Sequence, residues 1–203
     1  MSVEVFTKKG ESFLQKRDEA LLTFNSSELK APFPKNALIE LSNWCNHSCV
    51  FCTNPRMARK KGSLDFNLYK RIIKEAVPLG LEAVGLYTTG EPFFTKNLDE
   101  FIRFAKDSGI KYIYLTTTGA LATPDRLQQC IDAGVSSIKF SVNAGSQETY
   151  KLIHGKDDFE KVLQNIRWLA HYREKHAVDL KVFASAVLTR FTEDERLKIN
   201  DLL

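Results

Sequence analysis

Three of the chain's four cysteines fall within eight residues, CNHSCVFC at 45–52, directly after the strand-like run ALIELSNW. Thiolates suit zinc or iron-sulfur clusters, so spacing and the fourth ligand decide between them. A closed zinc site needs four protein ligands. The remaining candidates are His47, Cys130, His154, His171 and His176, and none stands at the spacing of a second ligand pair. His47 lies between two of the cysteines in a short loop, where simultaneous ligation would be strained. Cys130 sits on the apolar stripe of a helical stretch, the usual place for a small buried hydrophobe. Three thiolates on one loop can alternatively grip three corners of a cubane cluster and leave its fourth iron without a protein ligand, open to a cofactor or substrate. From the residues alone, a zinc- or cluster-binding module and an open cubane both stand.

With 203 residues, 43% of them hydrophobic, the chain can bury the core of one compact unit. Its 29 basic and 25 acidic residues leave a net charge of +4, a mixed surface that does not imply nucleic acid. The opening MSVEVFTKKGESF carries charge where a secretion signal needs an apolar stretch, and no run approaches the roughly 18 apolar residues of a membrane span. A cytoplasmic protein with no membrane attachment is expected. In a reducing cytosol, clustered cysteines read as metal ligands or redox thiols rather than disulfides. No P-loop, HExxH or Ser/His/Asp constellation supports phosphoryl transfer or hydrolysis.

The elements that must position the cysteine loop alternate along the chain. Strands are expected at 37–43, 82–88, 112–117, 136–142 and 180–188, separated by stretches of helical period, the pattern of parallel strands joined by crossover helices. Leu98, Phe101, Ile102 and Ala105 form one core-facing stripe, and Phe159, Val162, Leu163, Ile166 and Leu169 another. Thr123-Pro124 marks a helix start and Gly134 its stop, while Thr192 and Glu195 have capping-box spacing. The fold class is α/β, with five βα units in residues 37–203. Residues 1–36 read as an N-terminal extension, with a helix in ESFLQKRDEALLTF and a break at APFP, 31–34.

The CxxxCxxC spacing, with Phe51 before the last cysteine, resembles the signature of the radical S-adenosylmethionine (SAM) superfamily. YTTGEPF after the second strand matches that family's GGEP-like element at Thr89, Gly90, Glu91 and Pro92, and LTTTG after the third resembles its TNG-type turn through Thr117 and Thr118. FSVNAGSQETYKLIHGKDDFEKVLQNI is similar to the SxD segment and following helices of the branch that often carries a SPASM or twitch domain, so the similarity runs over about residues 37–190. It implies a partial parallel (βα) barrel of six units, of which five are visible. It implies a 4Fe-4S cluster on Cys45, Cys49 and Cys52, and SAM chelated to the open iron. Reductive cleavage of SAM to a 5'-deoxyadenosyl radical would then abstract hydrogen from a substrate.

By the same resemblance Phe51 lies near the adenine, Gly90 lets the backbone close on the methionyl end of SAM, and Glu91, flanked by Pro92, accepts from its ammonium group. Thr117 belongs to the third-strand turn, and Ser141 and Asn143 meet the ribose or carboxylate, Asn143 standing where Asp is more usual. Arg often occupies the place of His154 in similar sequences; here a surface histidine is expected. The run Arg56-Met57-Ala58-Arg59-Lys60-Lys61 reads as a solvated loop, or as a docking patch for an acidic electron donor such as flavodoxin or ferredoxin. The substrate is left open between a peptide, a carbohydrate and a small metabolite. A non-catalytic metal-binding module and a truncated, inactive scaffold are the competing readings.

Overall fold

The strands are β1 (Glu4–Phe6), β2 (Asn36–Leu38), β3 (Ala83–Gly85), β4 (Tyr112–Thr117), β5 (Ser137–Ser141) and β6 (Lys181–Ser185), and β-branched and aromatic residues dominate the longest of them, YIYLTT of β4. In the computed structural model, which describes residues 4–6, 32–187, 189–192, 195 and 197–199, they form one parallel sheet in the order β1-β6-β5-β4-β3-β2. The crossover helices are α1 (Phe66–Ala76), α2 (Leu98–Asp107), α3 (Pro124–Asp132), and the pair α4 (Gln147–His154) and α5 (Phe159–Lys175) before β6. Five parallel strands therefore alternate with helices from β2 onward, the expected α/β architecture.

Strand register separates two faces. Val84, Ile113, Leu115, Ile138, Phe140, Val182 and Ala184 are buried on the helix side, against Ile73, Ile102, Leu127, Cys130, Leu163 and Ile166. Each large aliphatic side chain so covered contributes about 1.5–3 kcal/mol. The alternate residues Tyr114, Thr116, Lys139, Ser141, Phe183 and Ser185 are only half-buried, on the face the helices do not cover. Cys130 is one of the fully covered residues of α3, with its thiol pushed up to about 12 by burial.

Three expectations are corrected. The N-terminal extension is not wholly outside the sheet, because β1 pairs in parallel with β6, Glu4 opposite Phe183, and covers that edge; the helix expected in ESFLQKRDEALLTF lies outside the described residues. The first strand pairs over Asn36–Leu38 and not to 43: Ile39 N–H still reaches the Gly85 carbonyl at 2.8 Å, after which the chain turns out of the ladder. Thr192 and Glu195 do not cap each other reciprocally. The Glu195 carboxylate instead accepts from Gly145 N at 2.8 Å, Ser146 Oγ at 2.7 Å and Thr149 Oγ1 at 3.0 Å, tying the C-terminal segment to the start of α4.

Candidate functional site

The cysteine loop leaves the C-terminal end of β2 and is held from below by α4. Ser48 N–H donates to the His154 carbonyl at 3.0 Å and Val50 N–H to that of Ile153 at 2.9 Å, so the loop satisfies carbonyls that the end of a helix leaves without partners. Gly155, at φ +67°, terminates α4, and a side chain there would run into the Ser48 hydroxyl. Cys45, Cys49 and Cys52 are free thiols, half-buried on this loop. Burial, and the neighbouring Glu91 and Cys52 charges, raise the Cys45 thiol; burial together with Cys45 and Cys52 pushes Cys49 up to about 12. Among the described residues no three His, Cys, Asp or Glu side chains gather so as to hold a single metal ion.

His154 is buried, contrary to the surface position expected. Its Nε2 lies 2.9 Å from the Val142 carbonyl and its Nδ1 3.3 Å from Cys49 Sγ. Burial lowers its pKa to about 4, so the ring is neutral, with its one proton on Nε2 facing the carbonyl; Nδ1 then accepts from the Cys49 thiol. Tyr150 stacks on the same ring at 4.1 Å, and His47 packs edge-on at 5.0 Å while its Nε2 meets Asp158 at 3.0 Å. Asn46 Oδ1, His47 Nδ1 and the Tyr150 hydroxyl are buried beside the cysteines without hydrogen-bond partners among the described residues.

The second half of the site is the turn after β3. Glu91 N–H donates to the Trp44 carbonyl at 2.8 Å, and a Cβ on Gly90 would lie 2.8 Å from both Asn43 Cα and the Ser42 carbonyl carbon, closer still to the Ser42 oxygen. Glycine is thus required for the turn to seat on the cysteine-loop backbone, a reason the sequence reading assigned to the cofactor. The Glu91 side chain is buried, capping the 3-10 turn Pro92–Phe94. It accepts from Thr117 Oγ1 at 2.6 Å, Thr118 N at 2.7 Å and Phe93 N at 3.2 Å, and burial raises its pKa. These bonds use three of the roughly four acceptor positions of a carboxylate.

Further round the strand ends, Ser141 closes β5. Asn143, at φ +57°, where Asn is tolerated, accepts from Val187 N at 2.9 Å and points its amide nitrogen at the Ser141 carbonyl at 3.4 Å. Phe51, Val50 and Trp44 remain exposed on the cysteine loop. The basic run divides: Arg59 pairs with Glu40 and donates to Thr89 Oγ1, and Lys61 is bonded to Asn43 and Asn54, whereas Arg56 and Lys60 are exposed. The structure therefore brings Cys45, Cys49, Cys52, Gly90, Glu91, Pro92 and Thr117 together, with Ser141 and Asn143 at the neighbouring strand end. The sequence reading missed Glu40, Asn43 and Asn54, polar residues in a loop with no periodic signal.

The profile of the Radical SAM superfamily matches residues 39–203. The chain is 31% identical over 171 residues to a probable GTP 3',8-cyclase of Saccharolobus solfataricus, covering 81% of this chain and 51% of that protein. It is 28% identical over 159 residues to the PqqA peptide cyclase of Bradyrhizobium diazoefficiens, covering 77% and 40%. The chain thus spans about half or less of the length of these curated relatives. Among solved structures, Streptococcus suis SuiB bound to S-adenosylmethionine superposes with a TM-score of 0.70 at 17% identity, over 97% of this chain and 44% of that one, a likeness of fold.

Proposed function

The chain belongs to the radical SAM superfamily, and from that membership we propose that it is a radical SAM enzyme whose Cys45, Cys49 and Cys52 hold a 4Fe-4S cluster beside a SAM site formed by the Gly90–Pro92 turn. The cofactors together supply one chemistry, reductive cleavage of SAM to a 5'-deoxyadenosyl radical that takes a hydrogen atom from the substrate. What supports the reading is the clamped pair of loops: three free thiols and the Gly90–Glu91 turn share one strand-end surface, joined by the 2.8 Å Glu91 N–Trp44 O bond. The donor set fits the cluster. Burial keeps the Cys45 and Cys49 thiols protonated in the absence of metal, and cluster assembly, which takes the cysteines as thiolates, would displace those protons. In this reading Gly90 brings the turn's backbone close, Glu91 keeps a remaining acceptor position for an ammonium group, and Phe51 is free to cover the adenine.

The substrate would lie on the open face of the sheet, where Tyr87, Tyr112 and Tyr114 form an aromatic ladder and Lys139 stands in register with Thr116 and Phe183. The relatives are named for cyclisation of a peptide and of GTP, and Lys139 would suit an anionic group such as the triphosphate of the latter. An acidic electron donor such as flavodoxin or ferredoxin would approach by the exposed Trp44, next to Cys45, where Lys96 lines the same cleft and Arg56 and Lys60 follow the cysteine loop in sequence. Anaerobic reconstitution with iron and sulfide tests the whole. About four irons per chain are expected, and reduction with SAM present should release 5'-deoxyadenosine and methionine together. Stoichiometric zinc without iron, or a cluster that leaves SAM intact, would refute the proposal.

A further inference from the structure

Asn54, two residues beyond the last cysteine of the loop, is buried, and both its amide nitrogen and its amide oxygen are hydrogen-bonded. Nδ2 donates to the Asn43 carbonyl at 2.9 Å and to the Thr89 carbonyl at 2.8 Å, while Oδ1 accepts from Lys61 Nζ at 2.6 Å. Two carbonyls demand the NH2 and an ammonium demands the oxygen, so the partners fix the amide's orientation. The Asn54 backbone N–H is in turn 3.4 Å from Cys52 Sγ. One residue thus touches the third cysteine's sulfur, the backbone entering the cysteine loop and the backbone entering the Gly90–Glu91 turn. Lys61 braces it from behind, donating also to the Asn43 carbonyl at 3.0 Å. Asn43 closes the far side, its Oδ1 accepting from Gly62 N at 2.7 Å and its Nδ2 reaching the Lys60 carbonyl at 2.9 Å.

Nothing else among the described side chains spans both loops from the cysteine side. Glu40 braces Thr89 from the opposite flank through Thr89 N at 2.9 Å, and it is bonded to Arg59 and not to the cysteine loop. We propose that Asn54 is a positioning residue that fixes the distance between the cysteine loop and the Gly90–Glu91 turn, and so couples cluster to SAM. This rests on the cofactor assignment above. In that assignment the loop would hold the metal and the turn would hold the ligand's amino-acid end, so joining the two would depend on the spacing between these backbones. A misplacement of about 1 Å costs up to roughly a hundredfold in comparable positioned sites.

The test uses the reconstituted full chain with Asn54→Ala and Asn54→Asp. Aspartate keeps the shape and the Lys61 contact but turns an acceptor toward two carbonyl oxygens. Both variants should load iron close to the wild-type level, bind SAM per cluster about tenfold or more weakly, and show a diminished SAM-induced change in the electron paramagnetic resonance spectrum of the reduced cluster. A residue that merely supported folding would lower iron content and melting temperature while leaving the spectral change per cluster intact, and that result overturns the inference. So does wild-type affinity with a full spectral change. If Asn54→Ala does not fold, Lys61→Met, which frees the amide without removing it, should weaken SAM binding in the same direction by about threefold; no change would again overturn the inference. A wild-type chain that builds no cluster or binds no SAM refutes the cofactor assignment and this inference with it, whereas a competent wild type with indifferent variants refutes only the role of Asn54.

Discussion

Replacing Gly90 by alanine separates the packing reason for that glycine from its relation to a cofactor. The added Cβ would sit 2.8 Å from Asn43 Cα and from the Ser42 carbonyl carbon. Carbon pairs rest at about 3.5–4.0 Å, so the turn must retreat by roughly 1 Å. Neither obstacle is a side chain that could rotate away. Overpacking of this kind costs about 1–3 kcal/mol. The same retreat stretches the 2.8 Å Glu91 N–Trp44 O bond out of range, adding about 1 kcal/mol. A loss of about 2–4 kcal/mol in a chain of this size lowers the melting temperature by roughly 4–16 °C. Circular-dichroism melts of the cofactor-free chain measure it, with Gly62→Ala as the control, because a Cβ at Gly62 meets nothing within 4 Å. If Gly90→Ala melts together with Gly62→Ala, within a degree or two of the unmodified chain, the turn is not seated on Ser42 and Asn43 and the reasoning fails.

Cys49→Ala should abolish cluster assembly, whereas Cys130→Ala, in the core of α3, should keep its iron and lose only about 1 kcal/mol of stability; equal iron losses would contradict the ligand assignment. Thr117→Val removes the 2.6 Å hydroxyl donor to the buried Glu91 carboxylate and should cost about 1.5–3 kcal/mol in denaturant unfolding, with no effect counting against the buried network. Burial holds His154 near pKa 4 against 6.5 when unfolded, and it also lowers His47. The unfolded chain therefore binds more protons in that window. The corresponding stability of the cofactor-free chain is present above pH 6.5 and lost as pH falls toward 4, on the order of 3 kcal/mol for His154. His154→Gln should flatten the slope between these limits, and an unchanged slope would show that the ring is not buried neutral.

The alternation of strands and helices was legible because burial on one or both faces leaves a period, and Pro124 and Gly134 bracket α3 as their backbone preferences require. The cysteine spacing and the GEP turn were equally plain, being local. What could not be read was contact between loops. Asn54 looks like an ordinary turn residue, and Asn43 like the end of a strand, until the fold brings the Asn43 and Thr89 carbonyls together around the Asn54 amide. His154 lies in a short helix whose apolar face is set by Tyr150 and Ile153, and only the docking of the cysteine loop onto the end of that helix covers it. Strand ends were overread at β2 because Ile39 and Leu41 continue the apolar pattern after the ladder has stopped, still packing on the main core. β1 was missed for the opposite reason: three residues of EVF carry too little pattern to distinguish a strand from a stray apolar pair.

That short strand also fixes an order of events. During synthesis the residues that make β1 emerge long before β6, their partner in the sheet, so they must wait in water while at least the four strands and five helices described between the two are translated. Closing so long a loop adds only a logarithmic entropy penalty to the finished molecule, but pairings this remote in sequence are slow to find. The middle of the sheet would therefore pair before β1 meets β6, and a perturbation confined to β1 would delay completion of the sheet more than it weakens the finished one.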